Sequence, residues 1–283
     1  MRISPLYEAV VFALGIAASA NVAAALAIGK TAPDSITEDL TISGAYDMGI
    51  YASSGRQFDF SGKNLSIDIT EGPGWGQGNV GIRAGYVTSL SATQSTINLG
   101  NKGKTESISV KVTDNSGKPD IAVGIWAEGK VANDIKGGVI NINTKSLVVD
   151  VTSKAWAYGL YSQNKTTTST SDLSTININA DDIYINATTT GSSENGYSAI
   201  AIVAQSQGVM NINGNLEVNA DTAISARGGA VLKVNESNTK TVKLNGIIDF
   251  NYDGPTSGTK VDADVTVNLT GPESYWNGNA QYS

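Results

Sequence analysis

The chain has 283 residues, with 26 acidic against 19 basic side chains and a formal net charge of −7. This balance argues against a nucleic-acid partner, because binding to a phosphate backbone needs clustered positive charge. The absence of Cys and His removes disulfides, thiolate sites and the commonest general base and transition-metal ligand. We therefore expect no metal and no cofactor.

Residues 1–27 have the pattern of a secretory signal peptide, expected to be helical. Arg2 precedes an apolar stretch at residues 9–18, and small residues follow it. We predict cleavage after Ala25 or Ala27 and export across the inner membrane. The alternative is an uncleaved anchor, although the Ala-rich segment is poorly hydrophobic for a stable membrane span.

Residues 28–48 are predicted to form an N-terminal cap or first coil, and residues 49–230 carry a repeat of three short motifs. The first motif reads G-I-[YW]-A or a close variant and starts at positions 49, 81, 124, 159, 201 and 223. The second is an apolar-polar-apolar triplet, first seen at 58–60, and the third alternates apolar residues, first at 65–69. Three short strands in fixed order, repeated along the chain, are typical of a solenoid.

The repeats differ in length at two places only, between the first and second strands and between the third strand and the next coil. The inserted segments are rich in Gly, Ser and Thr, as loops are. One of them, residues 71–78, is Gly-rich and carries Trp75. Insertions confined to two edges are what a coil with fixed corners tolerates.

The third position of the first motif is the most variable and supplies the candidate binding surface. An Arg cannot lie unpaired in a thin apolar core, so we predict that this column points outward and that the preceding Ile or Leu points inward. An exposed aromatic ladder is suited to stacking on sugar rings or to contacting a partner surface. The alternative is packing across the sheet face or cover by an inserted loop. The candidate residues are Tyr51, Arg83, Trp126 and Tyr161, with Trp75 from the loop.

Two rows of Asn follow from stacking the second motif. We predict that their amides hydrogen-bond along the coil axis, as in cross-β ladders. A bend is expected at the second row, where Gly100 is in register, since Asn and Gly tolerate the left-handed backbone region. The first row is Asn98, Asn141, Asn177 and Asn211, and the second is Asn143, Asn179 and Asn213.

The third motif has an outward column of mixed charge. If the coils stack in register, Lys111 lies about 4.8 Å from Asp68 on one side and from Asp150 on the other. Residues 231–283 keep only weak alternation and are predicted to be degenerate coils. We therefore predict an all-β fold, a right-handed parallel β-helix of roughly six to eight coils with three strands per coil.

The leader at residues 1–7 is similar to the leaders of large Gram-negative autotransporters. The G-I-[YW]-A and I-N-I-N coils and the segment 267–279 resemble the passenger region of such proteins. The resemblance implies a surface-exposed or secreted passenger that joins the outer membrane through a C-terminal β-barrel. No run of barrel-like strands occurs in this sequence. We expect either a fragment of a longer protein or a missing barrel.

The resemblance implies a structural or adhesive scaffold without catalytic residues, whose partners are host or bacterial surface glycans or proteins. The alternative is an extracellular carbohydrate-active β-helix enzyme, a polysaccharide lyase or hydrolase, which needs clustered carboxylates. We interpret the acids as solvated turn residues; convergence of three or more within about 5 Å in a groove would favour the enzyme. The candidate acids are Asp181, Asp182, Asp249, Asp253, Asp262 and Asp264.

Overall fold

A computed structural model describes residues 26–28, 35–70, 79–85, 94–115, 121–130, 136–165, 172–192, 195–235, 240–250, 264–267, 275–277 and 280–282. The predicted signal peptide up to residue 25 and the loop with Trp75 lie outside these residues. The described part of the chain consists almost entirely of strands and turns. Within it, no helix has the length and apolar character needed to cross a lipid bilayer.

The described residues form 21 strands, and the sequence motifs supply most of them. In chain order they are β1 (Leu26–Ile28), β2 (Ser35–Ile36), β3 (Leu40–Ala45), β4 (Met48–Ala52), β5 (Gln57–Phe60), β6 (Asn64–Thr70), β7 (Val80–Gly85), β8 (Thr96–Leu99), β9 (Ser107–Asp114), β10 (Ile121–Lys130), β11 (Val139–Asn143), β12 (Ser146–Ser153), β13 (Trp156–Lys165), β14 (Thr175–Thr189), β15 (Ala199–Gln205), β16 (Val209–Arg227), β17 (Val231–Val234), β18 (Val242–Phe250), β19 (Asp264–Val267), β20 (Tyr275–Asn277) and β21 (Ala280–Tyr282).

Every pairing between the described strands is parallel, and these pairings form three ladders. The first joins β1, β4, β7, β10, β13, β15, β16, β18 and β21 in that order. The second joins β2, β5, β8, β11, β14, β16, β17 and β19. The third joins β3, β6, β9, β12, β14, β16, β18 and β20. The predicted all-β class with parallel pairing is confirmed, and the three ladders are compatible with a β-helix.

The main core lies between the three ladders and is built from equivalent positions of successive coils. The inward residue of the first motif runs in register from Ile50 through Ile82, Ile125, Leu160 and Ile202 to Ile224. All six are fully buried, and the small residues two positions later, such as Ala84 and Ala127, are buried beside them. Burial of apolar surface in such stacked columns is the dominant stabilising term for a layered β-structure.

The glycine of the first motif breaks the strand alternation. In β10, Val123 and Trp126 lie on the outer face, whereas Gly124 and Ile125 both face the core. A Cβ on Gly124 would come within 2.4 Å of Val149 Cγ1 and 2.7 Å of the Gly159 carbonyl oxygen. The third strand therefore packs directly against the backbone of the first, and the glycine is needed for this close approach.

The backbone at the second Asn row differs in part from the prediction. Gly100 has φ of +83°, and Asn235, in register with the end of the row, has φ of +50°. Asn143, Asn179 and Asn213 do not have positive φ. In β14 the chain stays extended through this corner, and the register shifts between Asn179 and Asp182. The second and third strands of this coil are therefore one continuous strand with an irregular register after Asn179, and the Asn amides stack between coils.

The charged column of the third sheet has the predicted register. Lys111 lies opposite Asp68 in one neighbouring coil and Asp150 in the other. Its ammonium is 3.5 Å from a carboxylate oxygen of Asp68, and both side chains are about half exposed. Asp150 instead accepts a hydrogen bond from the amide of Asn186 at 2.8 Å. Exposed pairs of this kind contribute little to stability.

Gly124→Ala is expected to destabilise the protein by about 1–3 kcal/mol, because the added methyl overpacks the contact with Val149. The measurement is the midpoint of urea unfolding followed by circular dichroism. Gly103→Ala is the control, since a Cβ there has its nearest neighbour at 3.6 Å. Equal midpoints for the two variants would contradict the close-approach argument.

Candidate functional site

The predicted binding column of the first sheet is buried. It lies on the face away from the main core, as predicted, but the expected exposure is wrong. Tyr51 is 8 % exposed, Arg83 0 %, Trp126 4 % and Tyr161 7 %. These side chains belong to or adjoin a second apolar cluster, formed by Met48, Tyr51, Val80, Val123, Trp126, Tyr161 and Val203. The packing alternative therefore applies to the four described members of the column, whereas Trp75 lies outside the described residues.

Arg83 can be buried because Glu128 and Trp126 contact its guanidinium, and these two partners are not evident from the sequence. Its Nη2 pairs with the carboxylate of Glu128, and both side chains are buried. Its guanidinium also lies 4.0 Å from the centroid of the Trp126 ring, a favourable cation–π geometry. Glu128 follows Trp126 by two residues in β10, and Trp126 lies opposite Arg83. Strand register was the signal that could have found this pair.

A hydrogen-bonded column continues from Glu128 across three further coils. Gln163 donates to Glu128 at 3.4 Å, Gln205 donates to Gln163 at 2.9 Å, and the Nε of Arg227 donates to Gln205 at 2.7 Å. The Tyr161 hydroxyl donates to Gln163 at 2.7 Å and accepts from Gln205. The Tyr161 ring stacks on Trp126 with centroids 5.2 Å apart. The outer face of the first sheet is thus a buried, hydrogen-bonded network that joins neighbouring coils, although the indole Nε1 of Trp126 has no hydrogen-bond partner in it.

The predicted first Asn row is confirmed as a ladder of amides on the second sheet. Asn211 donates to Asn177 and Asn177 to Asn141, each at 2.8 Å. Asn141 donates to Asn98 at 2.7 Å, and Asn98 donates to the carboxylate of Asp59 at 2.6 Å. All four Asn side chains are half-buried. The ladder therefore lies at the protein surface.

The ends of this ladder fix the direction of every amide in it. A carboxylate only accepts hydrogen bonds, so Asn98 must donate to Asp59, and each further amide must donate in the same direction. At the other end Lys233 lies in register beside Asn211, and an ammonium group only donates. The amide dipoles are therefore aligned, with an anion at the donor end and a cation beside the acceptor end.

The second Asn row lies beside the first on the same face of the second sheet. Asn179 donates to Asn143 at 3.4 Å, and Asn213 donates to Asn179 at 3.1 Å. The two rows line an open groove of about 570 Å³, with Lys233 at one end. Lys102 donates to the Asn179 oxygen at 3.3 Å and lies 3.3 Å from the carboxylate of Asp181, which offsets its charge. The middle of the groove is therefore polar and uncharged.

The third sheet has a smaller depression of about 360 Å³ beside Tyr184. Among the side chains that the structure describes, Tyr184 is the one large apolar residue that is exposed, at 38 %. Asp182, Asn215, Glu217 and Lys243 also line the depression, and Asn215 donates to Asp182 at 3.0 Å. This face mixes both signs of charge, unlike the groove of the second sheet.

The candidate acids do not converge within the described part of the chain. Asp181 pairs with Lys102, and Asp182 accepts from Asn215. No group of three or more Asp and Glu residues that could hold a metal ion occurs among the residues described. Asp249 lies in β18 and Asp264 begins β19, whereas Asp253 and Asp262 lie outside the described residues.

Comparison of the chain with protein-family models, with curated proteins and with solved structures finds no match.

Glu128→Ala is expected to destabilise the protein by about 3–5 kcal/mol, because it leaves the buried Arg83 guanidinium without its carboxylate. The double variant Arg83→Met/Glu128→Gln should recover most of this loss, since Gln keeps an acceptor for Gln163. Urea unfolding measures both. Lys111→Met, at an exposed pair, is the control and should cost about 0–1 kcal/mol. A double variant no more stable than Glu128→Ala would contradict the assignment.

Stability should fall at alkaline pH because of Tyr161. Burial, with a smaller contribution from repulsion by Tyr158, raises the pKa of Tyr161 above its ordinary value of 10.0. The folded state therefore favours the neutral phenol. The buried neutral phenol of Tyr161 makes its full contribution to the free energy of unfolding below pH 10.0. That contribution is lost as the pH rises from 10.0 through the higher pKa of the folded state.

Tyr161→Phe should weaken this alkaline loss, measured as urea midpoints on either side of pH 10.0. It should not abolish the loss, because burial also raises the pKa of Tyr158. Tyr184→Phe, at an exposed position, is the control and should keep the wild-type slope. The same slope in Tyr161→Phe as in the wild type would show that Tyr161 does not carry the effect.

Proposed function

We propose that this chain is an exported scaffold of the autotransporter-passenger type, acting at the bacterial cell surface or in the medium as a structural and adhesive rod. The observation that carries this proposal is the continuity of the three parallel ladders. One uninterrupted apolar core runs from Leu40 to Ile248, and each outer face is ordered by stacked side chains. Such a rod presents long faces and inserted loops to partners without needing a catalytic centre.

The finer architecture is part of the same proposal. Right-handed coiling follows from the strong preference of parallel crossover connections for that hand. With three strands per coil, ladders of nine, eight and eight strands correspond to about eight coils, the upper end of the predicted range of six to eight. Stability then comes from contacts between neighbouring coils, so loops inserted at the two edges can change without disturbing the core. The proposed partners, glycans or proteins of host or bacterial surfaces, would contact these loops and the outer faces.

If the chain is secreted, its lack of Cys fits bacterial export better than a eukaryotic secreted domain. Its stability rests on buried apolar columns and on hydrogen bonds between coils, which do not depend on a redox compartment. The net charge of −7 favours solubility and repulsion between copies.

Export is tested by expressing the full chain in a Gram-negative host and determining the N-terminus of the product. The expected product lies outside the inner membrane and begins at Leu26 or Ile28. Leu14→Arg is the matched control, since a charge in the apolar stretch should keep the chain in the cytoplasm. A wild-type product that keeps Met1 and remains in the membrane fraction or cytoplasm would refute the proposal.

Adhesion is then measured as binding of beads coated with the exported product to bacterial and epithelial cells.

A further inference from the structure

The groove between the two Asn rows still offers hydrogen-bonding groups to a ligand. A side-chain amide has two N–H donors and an oxygen with two acceptor sites. The ladder uses one donor and one acceptor of an interior residue such as Asn141 or Asn177. One N–H and one acceptor site per amide therefore remain, and they recur at every coil along the half-buried surface.

The chemistry that matches this surface is a repeated hydroxyl group. A hydroxyl both donates and accepts, so it satisfies the free N–H of one amide and the free oxygen of the next. The middle of the groove carries no charge of its own, and the chain is acidic overall. A neutral ligand is therefore favoured over a sulfated, phosphorylated or uronic acid polymer.

The geometry of the groove favours an extended ligand lying along the coil axis. Equivalent amides are about 4.8 Å apart, so the first row from Asn98 to Asn211 extends over about 14 Å. The volume of about 570 Å³ is within the ordinary range for ligand sites. A peptide strand is a poor fit, because it binds by pairing with a free sheet edge, whereas this groove lies on the face of a fully paired sheet.

We propose that the Asn-lined groove of the second sheet binds a neutral, linear polysaccharide along the coil axis, through the free amide groups of the first row. The inference rests on the proposed extracellular role only for access to such a polymer. It assigns the contact surface to the amide groove and not to the aromatic column, which is buried.

The first test is electrophoresis of the purified full chain in gels containing xylan, mannan, a mixed-linkage β-glucan or an α-glucan, with heparin as an anionic comparison. We expect retardation by at least one neutral polymer, unchanged between about 0.05 and 0.5 M salt, since no charge pairing is involved. Asn141→Ala/Asn177→Ala should weaken this binding by about tenfold.

The matched control is Asn186→Ala/Asn219→Ala. These residues make amide hydrogen bonds between coils on the third sheet, Asn186 to Asp150 and Asn245 to Asn219, outside the groove. This variant should bind as the wild type does. No retardation by any neutral polymer, retardation by heparin alone, or equal binding by the two double variants would overturn the inference.

A second measurement needs no variant and so does not depend on the stability of the ladder. Side-chain amide resonances of Asn98, Asn141, Asn177 and Asn211 in the wild-type chain should shift on addition of an oligosaccharide of the retarding polymer. Those of Asn186, Asn219 and Asn245 should not. Shifts confined to the third-sheet amides would place binding elsewhere and overturn the inference.

Both tests use purified protein, so their outcome is separate from that of the export experiment. A chain that is exported and adheres to cells but binds no neutral polymer refutes the groove inference alone. A chain that binds the polymer through the groove but never leaves the cytoplasm refutes the proposed function alone.

Discussion

In-register stacking of parallel strands places equivalent side chains of successive coils about 4.8 Å apart. Each residue therefore has its own counterparts as nearest neighbours above and below. Aliphatic side chains can stack on their own counterparts because both are apolar, and these columns form the main core. Polar and charged side chains can stack in this way only when each one hydrogen-bonds or forms an ion pair with a side chain of the next coil. The outer faces of the three sheets differ in how they make these contacts.

In the amide columns, all of the side-chain hydrogen bonds run in the same direction. In each of them the Asn of one coil donates to a carboxylate or amide oxygen of the preceding coil. Since a carboxylate only accepts, an Asp at the N-terminal side sets the direction for all amides after it. At Asp39 the hydrogen bonds from Asn64 also lower the pKa of the carboxyl below its ordinary value. The Asp–Asn pairs are Asp39 with Asn64, Asp59 with Asn98, Asp150 with Asn186, and Asp182 with Asn215.

The same constraint divides the outer faces between stability and recognition. On the first sheet, bulky and charged neighbours are stacked, paired and buried, so Arg83, Trp126 and Tyr161 no longer offer groups to a partner. On the second sheet, the amides of the first Asn row satisfy one another with half of their hydrogen-bonding capacity and keep the other half at the surface. The less conspicuous residues are therefore the better candidates for contact with a ligand, and the aromatic residues act as a second core.

The sequence by itself determined the repeat, the parallel pairing, the inward columns and the Asn ladder, because each depends only on which residues recur at equivalent positions. It did not determine that Arg83 is buried, since its partners Glu128 and Trp126 become neighbours only when two coils are stacked in register. Nor did it predict that β14 continues as one strand through Asn179 with a shift in register after it, because register is defined only against the neighbouring coil. Only the tertiary structure decided which outward-facing columns are buried and which stay at the surface, because burial depends on packing between neighbouring coils.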